Sequence, residues 1–296
     1  MSNQHRSDDV EEHDLGLTHD LARLAEQRRS FGRRGLLGLV GGLGAVAIVG
    51  CSTDDAGTAS DPTSSAGPSG GPGGAPPDGT GSGVEVAAGE IPEETAGPYP
   101  GDGSNGPDVL GESGVVRSDL TSSFGTGRGV AEGVPVTVRM KVYDLQGDDA
   151  TVLSGAAVYL WHCDRDGHYS MYDDEVVAEN YLRGVQVSDG SGVVEFTTVF
   201  PGCYAGRWPH MHFEVYPSLD VATAAENKLR TSQLAIPEAT CREVYGVADG
   251  YDASAATFAG VSLGTDNVFS DGYSLQLPTV TGSATDGYSF HLNVPV

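Results

Sequence analysis

Val134-Pro135-Val136-Thr137-Val138-Arg139-Met140-Lys141-Val142-Tyr143 carries an apolar residue at every even position from 134 to 142. That is the period of a strand with one face on a core. The same signal recurs in Ala157-Val158-Tyr159-Leu160-Trp161, Gly184-Val185-Gln186-Val187, Val193-Val194-Glu195-Phe196-Thr197-Thr198-Val199, Met211-His212-Phe213-Glu214-Val215 and Tyr288-Ser289-Phe290-His291-Leu292-Asn293-Val294. Turn clusters such as Asp164-Arg165-Asp166-Gly167 and Ser188-Asp189-Gly190-Ser191-Gly192 stand between them. Short strands joined by Gly and Asp turns predict an all-β chain, an antiparallel β-sandwich. Helical pattern is convincing over 221–229 and weaker over 237–245, so helices are expected only as short peripheral pieces.

Outward from the strands, the composition changes abruptly. Between Ser52 and Glu90 there are 10 Gly, 5 Pro, 6 Ser and 4 Thr and no Lys or Arg, a mixture that cannot bury a core. This assigns 52–90 to a disordered linker and leaves 91–296, large enough for one well-buried interior, as the folded domain. The charge is one-sided, with 16 Lys+Arg against 41 Asp+Glu in the whole chain and only ten of those cations after Cys51. Nucleic acid is excluded as a partner, because phosphate neutralisation needs a basic face.

Residues 1–51 read as an address. Arg28-Arg29-Ser30-Phe31 stands ahead of the uncharged, Gly-rich run 35–50, and Ile48-Val49-Gly50-Cys51 follows. The pattern resembles a twin-arginine export signal ending in a bacterial lipobox. The run is shorter than the about 20 apolar residues of a membrane span. A lipidated Cys51 would be the only membrane attachment and would hold the domain on the outer face of the cell membrane. A plain membrane anchor, the alternative, leaves the same domain outside. Cys163, Cys203 and Cys241 would then meet an oxidising compartment, where one pair and one free thiol are expected. Cys203 with Cys241 is the expected pair, since Cys163 lies in an apolar strand pattern.

The most informative segment is Phe200-Pro201-Gly202-Cys203-Tyr204-Ala205-Gly206-Arg207-Trp208-Pro209-His210-Met211-His212-Phe213. On a strand, His210 and His212 share a face about 6 to 7 Å apart, a spacing that suits two imidazoles on one ion or two histidines at a surface. Tyr204 precedes them across a Gly-containing turn that can fold its phenol back. Upstream, Trp161-His162-Cys163-Asp164-Arg165-Asp166-Gly167-His168-Tyr169-Ser170 ends a strand in a turn with a Tyr.

Together these two segments resemble the intradiol ring-cleavage dioxygenases. Gly97-Pro98-Tyr99, Tyr181-Leu182-Arg183-Gly184-Val185-Gln186 and Thr231-Ser232-Gln233 extend the resemblance in the family's order over 91–290. The resemblance implies an Fe(III) ion held by Tyr169, Tyr204, His210 and His212, a catechol-type substrate that displaces Tyr204, and attack by O2 leading to a muconate-type diacid. Phenolate is a hard anionic donor that suits a ferric ion better than zinc. Arg207 resembles the arginine that stabilises negative charge on the ring, and Gln233 the glutamine that contacts the substrate or the peroxide; the alternative for Arg207 is a surface ion pair. The family's catechol dioxygenases carry a helical N-terminal dimerisation region with no counterpart here. The chain therefore looks like a lone catalytic sandwich related to the subunits of protocatechuate 3,4-dioxygenase, and its oligomeric state, a homo-oligomer included, stays open. So few cations favour a neutral catechol or a larger plant phenol at least as much as protocatechuate.

The remaining residues have plainer readings. His162 is expected to be packed or hydrogen-bonded, Trp208 to be core, His291 to be structural, and His168 to line the pocket mouth or face solvent. Two other functions compete with ring cleavage. One is a non-catalytic exported binding module. The other is a serine hydrolase built on Gly260-Val261-Ser262-Leu263-Gly264 with Asp266 or Asp271 and His291, which fails because a nucleophile elbow belongs to a parallel α/β sheet.

Overall fold

The computed structural model describes residues 89–146 and 149–296. The export signal read at 1–51 and the linker read at 52–90 lie outside the described residues, apart from Gly89 and Glu90. The alternating run at 134–143 becomes β1 (Pro135–Gln146), long enough for two strands to share one edge. Antiparallel β5 (Val193–Val199) pairs along its first half and antiparallel β2 (Asp149–Val152) along its second. The other edge takes β9 (Gly287–Pro295), followed by β8 (Thr279–Ser283). A second sheet runs β4 (Arg183–Val187), β3 (Ala157–Trp161), β6 (His210–Tyr216), β7 (Arg230–Ala235), all antiparallel. The expected sandwich is present, and its one parallel strand pair among the described residues, β1 with β9, joins strands from opposite ends of the domain.

The period-2 pattern decides which residues form the interior. Val136, Val138, Met140 and Val142 of β1, with Phe196 of β5 and Phe290 and Leu292 of β9, meet Val158 and Leu160 of β3 and Met211, Phe213 and Val215 of β6. The outer face of the second sheet is covered as well. Tyr159, Trp161 and Tyr216 pack there beneath Val109, Leu110, Val115 and Leu219 from the connecting segments. Both faces of β3 and β6 are therefore buried, and side chains of β6 that a two-layer sandwich would leave in water lie instead in a closed outer layer. Phe290, fully buried against Phe200 and Tyr288, marks the first layer. Phe290→Ala is expected to lower stability by about 3 to 5 kcal/mol, read as a shift of the denaturant midpoint.

Two expectations are corrected. No α-helix forms over 221–229, where only single 3-10 turns at Leu219–Val221 and Ala225–Asn227 appear. The chain must straighten there, because Lys228 reaches the buried Glu214 carboxylate at 2.8 Å and the Leu229 N–H donates to Val215 O as β7 begins. The weaker pattern is the real helix: α1 (Glu238–Val247) starts directly after Pro237 and buries Cys241, Val244 and Tyr245. A second, unanticipated helix, α2 (Asp252–Phe258), follows it.

The cysteines are the other correction. Cys163, Cys203 and Cys241 are all free and buried. Each thiol is turned to a backbone carbonyl: Cys163 to Gly202 O, Cys203 to Arg207 O and Cys241 to Ile236 O. The expected Cys203–Cys241 bridge is not formed, and burial pushes the Cys203 thiol up to about 12.

Candidate metal centre

β6 turns His210 and His212 to the outer face of the second sheet. Their rings lie 4.6 Å apart and their Nε2 atoms 3.0 Å apart. Tyr204 folds back from the preceding turn, its Oη 3.2 Å from His210 Nε2, and Tyr169 Oη lies 3.3 Å from Tyr204 Oη. Two phenol oxygens and two imidazole nitrogens thus converge from three stretches of chain. The turn before Tyr204 depends on Gly202, where a Cβ would stand 2.5 Å from Arg165 O.

Each ring is held from behind by a different device. His210 Nδ1 donates to Trp208 O, which leaves Nε2 without a proton on the side of the cluster. His212 is held by stacking: its ring lies parallel to Trp161 at 4.9 Å and 7°, and Trp161 is its cross-strand partner. On its other side comes Gly97 at φ 70°, whose Cβ would be 3.3 Å from His212 Cε1. Tyr169, 1 % exposed, has its backbone N–H on Asp173 Oδ2 and its ring against Tyr99 at 4.9 Å. Tyr204 is half-buried.

Burial sets the protonation of this group. It drives both imidazoles well below the usual histidine range, so they are neutral and free to act as ligands. Burial likewise lifts both phenols above their ordinary value, and for Tyr204 the charge of Arg207 opposes it. The phenols ionise only against a strong nearby cation. A trivalent ion meets that need, and two phenolates would offset most of its charge, so the donor set fits Fe(III). Among the described residues no group of three or more His, Cys, Asp or Glu could hold a metal; two tyrosines complete the set here.

Arg207 and Gln233 stand beside the cluster. Gln233 lies on β7 directly across from His212. Its Oε1 accepts from Arg207 Nη2 at 2.7 Å and its Nε2 donates to Thr95 O at 2.8 Å. Arg207 is no surface arginine: its Nε is 3.0 Å from Asp266, a carboxylate that is 1 % exposed. Asp266 also accepts from the backbone N–H groups of Trp208, Val268 and Phe269. Burial opposes ionisation there, yet Arg207 and these donors hold the carboxyl below its usual range. The positive charge of Arg207 is felt at Tyr169, Tyr204, His210 and His212 alike.

The other named residues sit apart from the cluster. His162 is buried with Nδ1 on Cys163 O and Nε2 on Thr198 Oγ1, and Trp208 is core, with its indole N–H on Ile236 O. His168 is half-buried, and His291 is exposed on β9. Ser262 precedes a 3-10 turn and pairs with Thr265, while Asp266 serves Arg207, so the hydrolase set is not assembled. The sequence offers Asp266 only in that rejected set and marks no role for Trp161, Arg183 or Glu94.

Glu94 is the most unusual carboxyl near the centre. Burial and then the charge of Asp271 raise it to about 7, against a hydrogen bond from Gln276 and the charge of Arg207. In the unfolded chain such a group titrates near about 4.3. The folded state therefore keeps a proton that the unfolded chain has lost, and this group's stabilisation declines as pH rises from 4.5 through about 7. The stability of Glu94→Gln relative to the parent is expected to rise across that window in denaturant titrations; a pH-independent difference would contradict it.

Comparison with known proteins shows what the segment carrying this site is similar to. Residues 105–222, which contain all four converging side chains, match the family model described as Dioxygenase. Among solved structures, the chain is similar to an intradiol ring-cleavage dioxygenase from Tetranychus urticae, 24% identical, with a TM-score of 0.53 over 70% of this chain and 93% of that one. It is also similar to the dioxygenase domain of a dioxygenase carbohydrate-binding protein fusion from Streptomyces sp. SirexAA-E, 22% identical, TM-score 0.45, over 70% of this chain and 97% of that one. A 3-chlorocatechol 1,2-dioxygenase from Rhodococcus opacus 1CP is 15% identical, TM-score 0.44, over 70% of this chain and 72% of that one. The first of these carries the fold comparison. The matched segment is similar to the dioxygenase family. Its sandwich is that of the intradiol ring-cleavage dioxygenases.

Proposed function

We propose that the protein is a ferric-iron-dependent intradiol dioxygenase. It adds both atoms of O2 to a catechol-type aromatic, breaks the bond between the two hydroxyl-bearing carbons and releases a muconate-type diacid; substrate and O2 supply every atom of the product. The observation that carries this reading is the convergence of Tyr169 and Tyr204 with His210 and His212, in steps of 3.0 to 3.3 Å, inside a dioxygenase-family segment.

Tyr169, Tyr204, His210 and His212 would hold the ion. When bound, Fe(III) supplies the Lewis acidity that makes both catechol oxygens bind as anions and opens the ring to O2. The two neutral imidazoles and buried Tyr169 keep fixed positions. Tyr204, the more exposed of the two tyrosines, would be the one to turn from the cluster and take one catechol proton. Arg207, held in place by Asp266 and Gln233, places a permanent positive charge beside the ring, where negative charge builds during cleavage. The aromatic wall of Tyr99, Tyr169 and Trp161 excludes water. We propose further that the twin-arginine signal exports the chain and that a lipidated Cys51 holds it on the outer face of the membrane.

The visible spectrum of the purified protein, with O2 uptake on catechol, tests this reading. A tyrosinate-to-iron band that shifts on anaerobic addition of catechol, followed by one O2 consumed per ring opened, is the expected result. A protein that stays colourless after ferric reconstitution would sink it and leave a binding module instead.

A further inference from the structure

A second polar cluster adjoins the centre through Arg207. Gln276 is fully buried; its Nε2 donates to Glu94 Oε1 at 3.2 Å, while its Oε1 has no partner. Asp271 and Asp266 act on the Glu94 carboxyl with like charge, and Arg207 is the cation that acts on it. The arm carrying Glu94 is sewn to the site. The Glu94 N–H donates to Thr231 O, Thr95 O accepts from Gln233, and Gly97 presses on His212. The arm carrying Glu94 therefore runs along β7, whose Gln233 is the cross-strand partner of His212.

The chemistry of this cluster is lopsided. Glu94 feels the like charge of Asp271 and Asp266 against the single positive charge of Arg207, and that guanidinium already spends its Nε and Nη2 on Asp266 and Gln233. A buried amide oxygen without a donor is costly, and so is one more negative charge beside Glu94 and Asp271. Both costs are relieved by the same kind of ligand: a group that donates hydrogen bonds and carries no negative charge.

We propose that Glu94, Gln276 and Asp271 form a subsite for a hydrogen-bond-donating, neutral or cationic substituent on the catechol ring, and that it turns away carboxylated catechols. This rests on the ring-cleavage reading above. The amide oxygen of Gln276 and the carboxyl of Glu94 accept from the substituent, and Asp271 supplies the field that repels an anion.

The test uses the full-length ferric protein with four probes: catechol, 3,4-dihydroxybenzylamine, 3,4-dihydroxybenzyl alcohol and 3,4-dihydroxybenzoate. Apparent Kd comes from anaerobic spectral titration, and kcat/KM from O2 uptake. The amine and the alcohol are expected to exceed the benzoate by at least about 20-fold in both quantities. An amine ahead of the alcohol means that charge leads; equality means that donation leads. In Glu94→Gln/Asp271→Asn the gap is expected to shrink below about 5-fold through KM, with the visible band of the unliganded protein unchanged as proof of an intact centre. A benzoate that binds as well as the alcohol, or a gap that the double variant leaves unaltered, overturns the subsite. If the probes bind in the expected order and none is cleaved, the subsite stands and the ring-cleavage reading falls. If no probe binds, both fall.

Discussion

Tyr169→Phe is expected to lose the larger part of the visible tyrosinate absorption and to bind Fe(III) more than about 100-fold more weakly, beyond the loss that removing a partner of a ligand brings. Tyr169 is 1 % exposed, so no water replaces the missing oxygen at low cost. The phenolate is also one of only two anionic donors in the set, and without it an extra positive charge is left buried. The ring contacts to Tyr99 and Tyr204 survive in Phe, so the fold should tolerate the change. Chelator competition measures the affinity, and near-UV circular dichroism checks the fold. A variant that keeps both band and affinity would remove Tyr169 from the ligand set.

Arg183→Met is expected to cost about 3 to 5 kcal/mol of stability, because several buried acceptors lose their donor at about 1 to 3 kcal/mol each. Arg183 is fully buried at the start of β4, and no carboxylate is among its hydrogen-bond partners. Its guanidinium donates to Tyr99 O, Pro100 O, Ser170 O and Ser170 Oγ at 2.8 to 3.0 Å, with Tyr159 Oη at 3.4 Å. It thereby ties the residue after Tyr169 to the arm that covers His212. The two left-handed non-glycine residues among those described, Met171 at φ 73° and Leu182 at φ 58°, flank the two ends of this clamp. Such backbone persists only where its surroundings over-determine it. A methionine matches the volume and donates nothing; a lysine is one point charge and cannot serve four acceptors. Denaturant unfolding of both variants decides: a shift under about 1 kcal/mol in Arg183→Met would show that the clamp carries little.

Much of the fold could be read from single residues and their spacing. β1, β3, β5, β6 and β9 all announce themselves through period 2, because one face of each meets the sandwich interior. β2 and β8 escape notice because they are short and largely exposed. β7 escapes for the opposite reason. Its Arg230-Thr231-Ser232-Gln233 run is polar yet buried: Arg230 pairs with Glu90, Thr231 with Glu93 and Glu214, and Gln233 with the arm, while Ser232 Oγ is left without a partner among the described residues. The apparent helix at 221–229 had the right period and the wrong context, since Lys228 is drawn to a carboxylate on β6.

The candidate site divides along the same line. By itself the sequence determined the sandwich class and the composition of the linker, and it set His210 and His212 on one strand face; Tyr169 and Tyr204 joined them only through the resemblance to the intradiol dioxygenases. Residue chemistry and a two-residue repeat are local properties, and a strand that places His210 and His212 on one face is specified within three positions. Only the tertiary structure decided that Gln233 faces His212, that Asp266 anchors Arg207 from 59 positions away, that Arg183 clamps the Tyr169 loop to an arm 83 and 84 positions distant, and that the three thiols stay unpaired. Those relations come from strand register and loop docking, which depend on how the layers pack, and no local period encodes them.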